Sequence, residues 1–151
     1  EIPNKFAFVI SGLFRYYYLD EKENELTKGF LPESSFITSY SALIQNRESY
    51  FTIEALEDSV ILVIYYDEWK KLLENNIHWN KLLICLLEKA FCIKEARERE
   101  FLLFDAEERY RSFLNTFPGL ENRIKQHFIA SYLRITPVTL SRIRKKMGLL
   151  S

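Results

Sequence analysis

Gln126-His127-Phe128-Ile129-Ala130-Ser131-Tyr132-Leu133-Arg134-Ile135-Thr136-Pro137-Val138-Thr139-Leu140-Ser141-Arg142-Ile143-Arg144-Lys145 sets two short amphipathic segments on either side of one turn. Ile129, Leu133, Leu140 and Ile143 supply the apolar contacts between two crossing helices, and Ile135 plugs the turn. Ala130 is small where the helices come closest. Arg134 stands where such turns usually place Gly for a left-handed backbone, at a cost of about 1 kcal/mol that the motif can carry. Thr136 caps the second helix, and Pro137 takes its first position, where a missing N–H costs nothing. Together these requirements predict a helix-turn-helix.

The solvent side of the second helix then offers Val138, Thr139, Arg142, Lys145 and Lys146, a mixture of base-edge readers and phosphate holders sized for a major groove. Arg142 is the candidate for a guanine contact. Thr139 and Ser141 suit a base or a phosphate, and Arg144, Lys145 and Lys146 suit the backbone. The competing explanation is a solvated helix end whose cations complement the dipole. The complete window around the run favours the first.

Charge supports a division of labour. The 151 residues have a formal net charge of zero, yet residues 121 to 151 hold seven Lys or Arg against the single acid Glu121. That local +6 leaves −6 on the first 120 residues. A basic end on an acidic body predicts two modules with different partners, with phosphate as the partner of the basic one.

Upstream, residues 5 to 63 alternate short runs of Phe, Tyr, Val and Ile with turn residues at the spacing of an antiparallel sheet. Phe6 to Ile10 and Leu13 to Leu19 read as strands joined by a Ser11-Gly12 turn, and the polar loop from Asp20 to Glu25 leads into Leu26 to Leu31. The expectation is a meander. Tyr50 to Leu56 and Val60 to Tyr65 add two strands, and Asp67 is placed to cap a short helix that Asn75-Asn76 ends. Trp79, Leu83, Leu86, Ala90 and Ile93 then advance by four, three, four and three, the seam of a helix that pairs lengthwise with a second copy. Asp105 reads as the cap of the next helix. The fold class expected is α+β, in three parts: a β-roll of jelly-roll type over 1–66, a short helix plus a long dimerisation helix over 67–104, and a helix-turn-helix domain over 105–151.

Two stretches resemble a known family. Lys5-Phe6-Ala7-Phe8-Val9-Ile10-Ser11-Gly12 is similar to the strand-and-glycine signature, and Ile129 to Leu133 with Leu140 to Arg144 is similar to the DNA-binding helices, of the Crp/Fnr regulators, named for the cyclic-AMP receptor protein and the fumarate-nitrate regulator. The resemblance covers essentially the whole chain. It implies a homodimer with a cyclic-nucleotide-binding-like β-roll, a long central dimer helix and a winged helix-turn-helix on a palindromic operator, and RNA polymerase as a further partner. The family's cassette holds a ribose with the glutamate of a Gly-Glu pair and a cyclic phosphate with an arginine. Here Pro32 to Ala55 has no Gly, and Arg47 stands two residues from Ser49, where the arginine belongs. Glu33, Ser34, Arg47, Ser49 and Tyr50 remain the candidate effector pocket, but without the guanidinium and the tight turn a cyclic phosphate has little to hold it, so the regulator is expected not to depend on cyclic AMP. The short tail after Lys146 predicts no full two-stranded wing, with DNA reading resting on the helix alone.

Cys85 and Cys92 lie seven apart in an apolar helical pattern and read as small buried hydrophobes, too few for the four ligands of an iron–sulfur sensor. No metal or cofactor is expected. His78 and His127 occupy unrelated helical contexts, so no constellation for catalysis forms and no enzyme is expected. Apolar runs are too short for a bilayer and no signal peptide is visible, which predicts a cytoplasmic protein. The chain opens at Glu1 inside a structural motif, which predicts that part of the N-terminus is missing. A second possibility is a small-molecule or protein-interaction module whose basic tail is incidental, with Tyr16, Tyr17, Tyr18, Tyr40, Tyr50 and Phe51 lining an apolar pocket. DNA binding separates the two.

Overall fold

The computed structural model describes residues 1–149. Two compact units divide it, Glu1–Cys85 and Leu86–Ser151. No helix among the described residues is long and apolar enough to cross a membrane.

The first unit is built from two antiparallel three-stranded sheets. One orders β4(Phe36–Ile37), β1(Lys5–Ser11) and β6(Val60–Tyr65); the other orders β3(Glu25–Leu31), β2(Phe14–Leu19) and β5(Thr52–Ala55). The expected meander is therefore corrected, because β1 and β2 are neighbours in sequence but belong to different sheets. Gly12 makes the crossing. Its φ of +108° lies where side chains are rarely tolerated, and a Cβ there would come within 2.0 Å of the Ser59 hydroxyl. A register shift between Val9 and Ser11 turns the strand out of its ladder at the same point.

Alternation along β1 sorts its side chains between two cores. Ala7 and Val9, with Ile37, bury against Phe14 and Tyr16 of the other sheet. Phe6 faces the opposite way, into Leu43 of α1(Tyr40–Ile44) and Trp69 of α2(Tyr66–Asn75), whose ring meets it edge-on at 4.9 Å. Trp79, Leu82 and Leu83 of α3(Ile77–Leu103) pack onto this second cluster. Helix α2 begins one residue before Asp67, with Tyr65 at the cap position and no side-chain cap bond; Asp67 sits in the first turn and pairs with Lys70 at 2.8 Å. The loop between β2 and β3 closes as expected, since the Asp20 carboxylate accepts from the backbone of Lys22 and Asn24, both at 2.8 Å. These bonds, that of the Asn24 side chain foremost, hold its pKa below the usual carboxylate value.

A charged group is buried in the β-roll without any sign in the hydrophobic pattern. Arg15 of β2 is 1% exposed and forms ion pairs with Glu25 of β3 and Glu54 of β5, on the two strands that flank it. Its guanidinium also lies 4.4 Å from the Tyr17 ring centre.

The second unit takes the remainder of α3, then α4(Ala106–Thr116), a 3-10 turn at Leu120–Asn122, α5(Gln126–Leu133) and α6(Pro137–Lys146). Asp105 does cap α4, in a reciprocal box with Glu108 whose two bonds are both 2.8 Å. Tyr110, Phe113, Leu120, Ile124, Ile129, Leu133, Leu140 and Ile143 form the buried interior.

Cys85 and Cys92 are exposed, which corrects their reading as buried residues. The physical reason is that α3 packs on the β-roll cluster through Trp79, Leu82 and Leu83 at its start, has no fully buried residue among those described, and carries both cysteines beyond those packed positions.

Candidate nucleic-acid interface

The corner between α5 and α6 is made as its sequence requires. Arg134 ends α5 in the left-handed conformation, φ 58° and ψ 44°, and its N–H closes back on α5 carbonyls. The backbone N–H of Ile135 donates to Ala130 O at 3.1 Å. Thr136 then caps α6, its hydroxyl accepting from the Thr139 N–H at 3.1 Å, with Pro137 next in line. Leu140 and Ile143 turn inward against the interior, which leaves the opposite side of α6 to solvent.

Val138, Ser141, Arg142 and Lys145 share that outward side, and all four are exposed. The other expected contacts are distributed differently. Thr139 is half-buried and its hydroxyl lies 2.9 Å from that of Thr136. Lys146 is drawn to α4, where Glu107 takes its ammonium at 2.6 Å and Arg111 at 2.8 Å. Arg144 is half-buried on the far side, with Nε enclosed and no hydrogen-bond partner among the described residues. Its charge and that of Glu121 both act on the buried Tyr110 hydroxyl, whose pKa is raised, chiefly by burial. Three of the seven expected residues are thus held by the domain itself. A shallow groove lined by Asp105, Ala106, Glu107, Thr139, Arg142, Ile143 and Lys146 runs beside the exposed face.

The helix expected to carry dimerisation uses its faces in an unexpected order. Trp79 and Leu83 pack into their own β-roll cluster, Leu86 is half-buried, and Ala90 and Ile93 are exposed. The exposed large apolar residues Ile77, Ile84, Leu87, Phe91 and Leu102 follow a second stripe, about a third of a turn round the helix from the first at 100° per residue. Spacing alone found an apolar face without showing that its first positions, Trp79 and Leu83, were already occupied.

The candidate effector residues are spread over two places. The Glu33 carboxylate accepts from the Gly12 N–H at 3.1 Å, and the Ser34 N–H donates to Val9 O at 2.9 Å, so both brace the β1–β2 crossing. Arg47 stacks on Tyr50 at 4.9 Å, and Ser49 bonds the backbone of Phe51. Tyr16, Tyr18 and Phe51 do cluster, and the Lys28 ammonium lies 4.0 Å from the Phe51 ring centre. Burial raises the Tyr16 pKa to about 12, against a smaller opposing effect of its bond to the Thr38 backbone. Among the described residues no group of three or more His, Cys, Asp or Glu is placed to hold a metal ion.

Sequence reasoning missed two arginines that bond the end of α5. Arg109 of α4 donates to Leu133 O at 3.2 Å and to Phe104 O at 2.9 Å. Arg97 of α3 donates to Tyr132 O at 2.6 Å. The available signal was the step of four from Ile93, which puts a guanidinium at a position of the seam.

The order of a β-roll, a long helix and a helix-turn-helix can be compared with known proteins. Residues 1–76 match the model of the cyclic nucleotide-binding domain. The chain belongs to that family, and its fold is that of the Crp/Fnr regulators. FixK2 from Bradyrhizobium japonicum superposes with a TM-score of 0.85 at 16% identity, over 99% of this chain and 77% of that one. A Crp/Fnr-family transcriptional regulator from Eubacterium rectale gives 0.74 at 20% identity, over 97% and 70%. A CooA mutant from Carboxydothermus hydrogenoformans gives 0.74 at 22% identity, over 98% and 70%. No curated protein sequence matches the chain.

Proposed function

We propose that this chain is a sequence-specific DNA-binding transcription regulator that acts as a homodimer on a palindromic operator, without a cyclic nucleotide and without enzymatic activity. The observation that carries the proposal is the outward face of α6, where Val138, Ser141, Arg142 and Lys145 are exposed together on a helix whose other side is anchored by Leu140 and Ile143. Arg142 reads a base edge, Lys145 holds phosphate, and Lys146 joins it by exchanging Glu107 for DNA. Arg144 acts from within the domain. RNA polymerase is the further partner that the family resemblance brings.

Dimerisation is assigned to the open stripe of α3, with Ile84, Leu87 and Phe91 at its centre. Two copies joined there present two α6 helices, and reading successive major grooves needs them about 34 Å apart. Independence from cyclic nucleotide rests on Arg47, which is exposed and stacked on Tyr50 instead of lying beside Glu33 and a glycine turn. Against catalysis, His78 and His127 are both exposed and far apart in sequence.

Selection from a random duplex pool tests the reading. The recovered duplexes are expected to share a palindrome and to bind equally with and without added cyclic AMP. Arg142→Ala should cost about 1–3 kcal/mol at one base-pair position and relax the preference there, whereas Lys145→Ala should weaken all duplexes alike and flatten the salt dependence by about one ion. Equal affinity for every duplex would overturn it.

A further inference from the structure

We propose that Arg97 is a positioning residue that fixes the helix-turn-helix to the end of α3, so that α6 is presented to DNA in a single orientation; this rests on the DNA-reading function above. The geometry is that of a rivet. Arg97 leaves α3, lays its guanidinium 3.5 Å from the Tyr132 ring centre, and donates through Nη2 to the Tyr132 carbonyl at 2.6 Å. That carbonyl belongs to the last turn of α5, where carbonyls lack helical partners and the dipole favours a cation. One side chain therefore satisfies a helix end and stacks on the residue that makes it.

The contacts continue on both sides. Arg97 also lies 4.7 Å from the Phe101 ring centre, and Arg109 lies 5.6 Å from the same ring while donating to the next carbonyl of α5, that of Leu133. Beyond Tyr132, the rings of Phe113 and Phe117 stand at 5.7 and 6.0 Å. A planar cation between two rings is held in angle as well as distance, which a lysine ammonium does not provide. Two residues past Tyr132 comes the left-handed Arg134, and then α6. Fixing the end of α5 therefore fixes the start of the corner that aims α6. Burial pulls the Arg97 pKa down, opposed chiefly by Tyr132 and then Glu100; the guanidinium stays charged because its ordinary value is so high.

A direct phosphate contact and a positioning contact differ in their salt dependence. Wild type, Arg97→Met and Arg97→Lys are compared on a duplex recovered by selection and on mixed-sequence duplex, over a series of salt concentrations, with amide hydrogen exchange along Tyr132 to Leu140 measured on the free proteins. Expected for Arg97→Met is a loss of about tenfold in affinity for the selected duplex, an unchanged salt slope, and faster exchange along that segment. Arg97→Lys should lose affinity in the same sense with the same slope. Affinity and exchange both equal to wild type would overturn the proposal, as would a slope reduced by about one, which would make Arg97 a phosphate ligand. If both variants lose the fold of the second unit, Arg97 is a stability residue and the proposal fails. If wild type binds no duplex at all, the regulator reading fails instead, and unchanged exchange in Arg97→Met then removes the positioning role as well.

Discussion

Phe91→Glu is expected to turn a dimer into a monomer and, with it, to abolish binding to a palindromic duplex. Phe91 is 71% exposed on a helix that leaves Ile84 and Leu87 uncovered on the same stripe. In a twofold pairing each substituted residue meets the seam of the other copy, so two carboxylates enter the interface together. Burying an unpaired charge costs several kcal/mol, and every 1.4 kcal/mol is a factor of about ten in the dissociation constant. A loss of at least about a hundredfold in dimer affinity is therefore expected, visible as a halved mass in sedimentation or light scattering. Ile93→Glu is the control, because Ile93 lies on the stripe that runs through Trp79 and Leu83. If Ile93→Glu dissociates the protein while Phe91→Glu leaves it dimeric, the seam follows the Trp79 stripe and the assignment is reversed.

For Arg15→Met the expected result is a loss of about 3 kcal/mol in the stability of the first unit. The guanidinium is 1% exposed, whereas the side chains of Glu25 and Glu54 are 43% and 41% exposed. Water therefore reaches the acids and not the base. Removing the cation leaves two carboxylates close together on strands that flank β2, and it strips the Thr27 hydroxyl of a donor at 3.5 Å. Partial exposure of the acids keeps the cost at the lower end of the range for breaking a buried ion pair. Glu54→Gln, which retains a hydrogen-bond acceptor and leaves Glu25 in place, should cost only about 1 kcal/mol. Urea titrations with unchanged slope and a lowered midpoint would show this. Equal midpoints for Arg15→Met and wild type would show that the buried cation is merely tolerated by the sheet.

The corner at Arg134 to Pro137 was legible because its constraints are local. A cap hydroxyl, a proline in the first turn and small or apolar residues at helical spacing act within a few residues of one another, so the chain order displays them directly. The Asp105 cap was readable for the same reason. Arg15 was not, since its partners are 10 and 39 positions away and meet it only through strand pairing.

The amino-acid order by itself determined the succession of a strand-rich module, a long helix and a helix-turn-helix, along with the run of basic residues on its second helix. Tertiary structure decided which of those residues are available. It placed β1 and β2 in separate sheets, took Trp79 and Leu83 into the β-roll's own core, turned Arg144 inward, and gave Lys146 to Glu107. The physical reason is that periodicity specifies that a face is apolar or charged, whereas its occupant is fixed only when distant segments compete for the same surface.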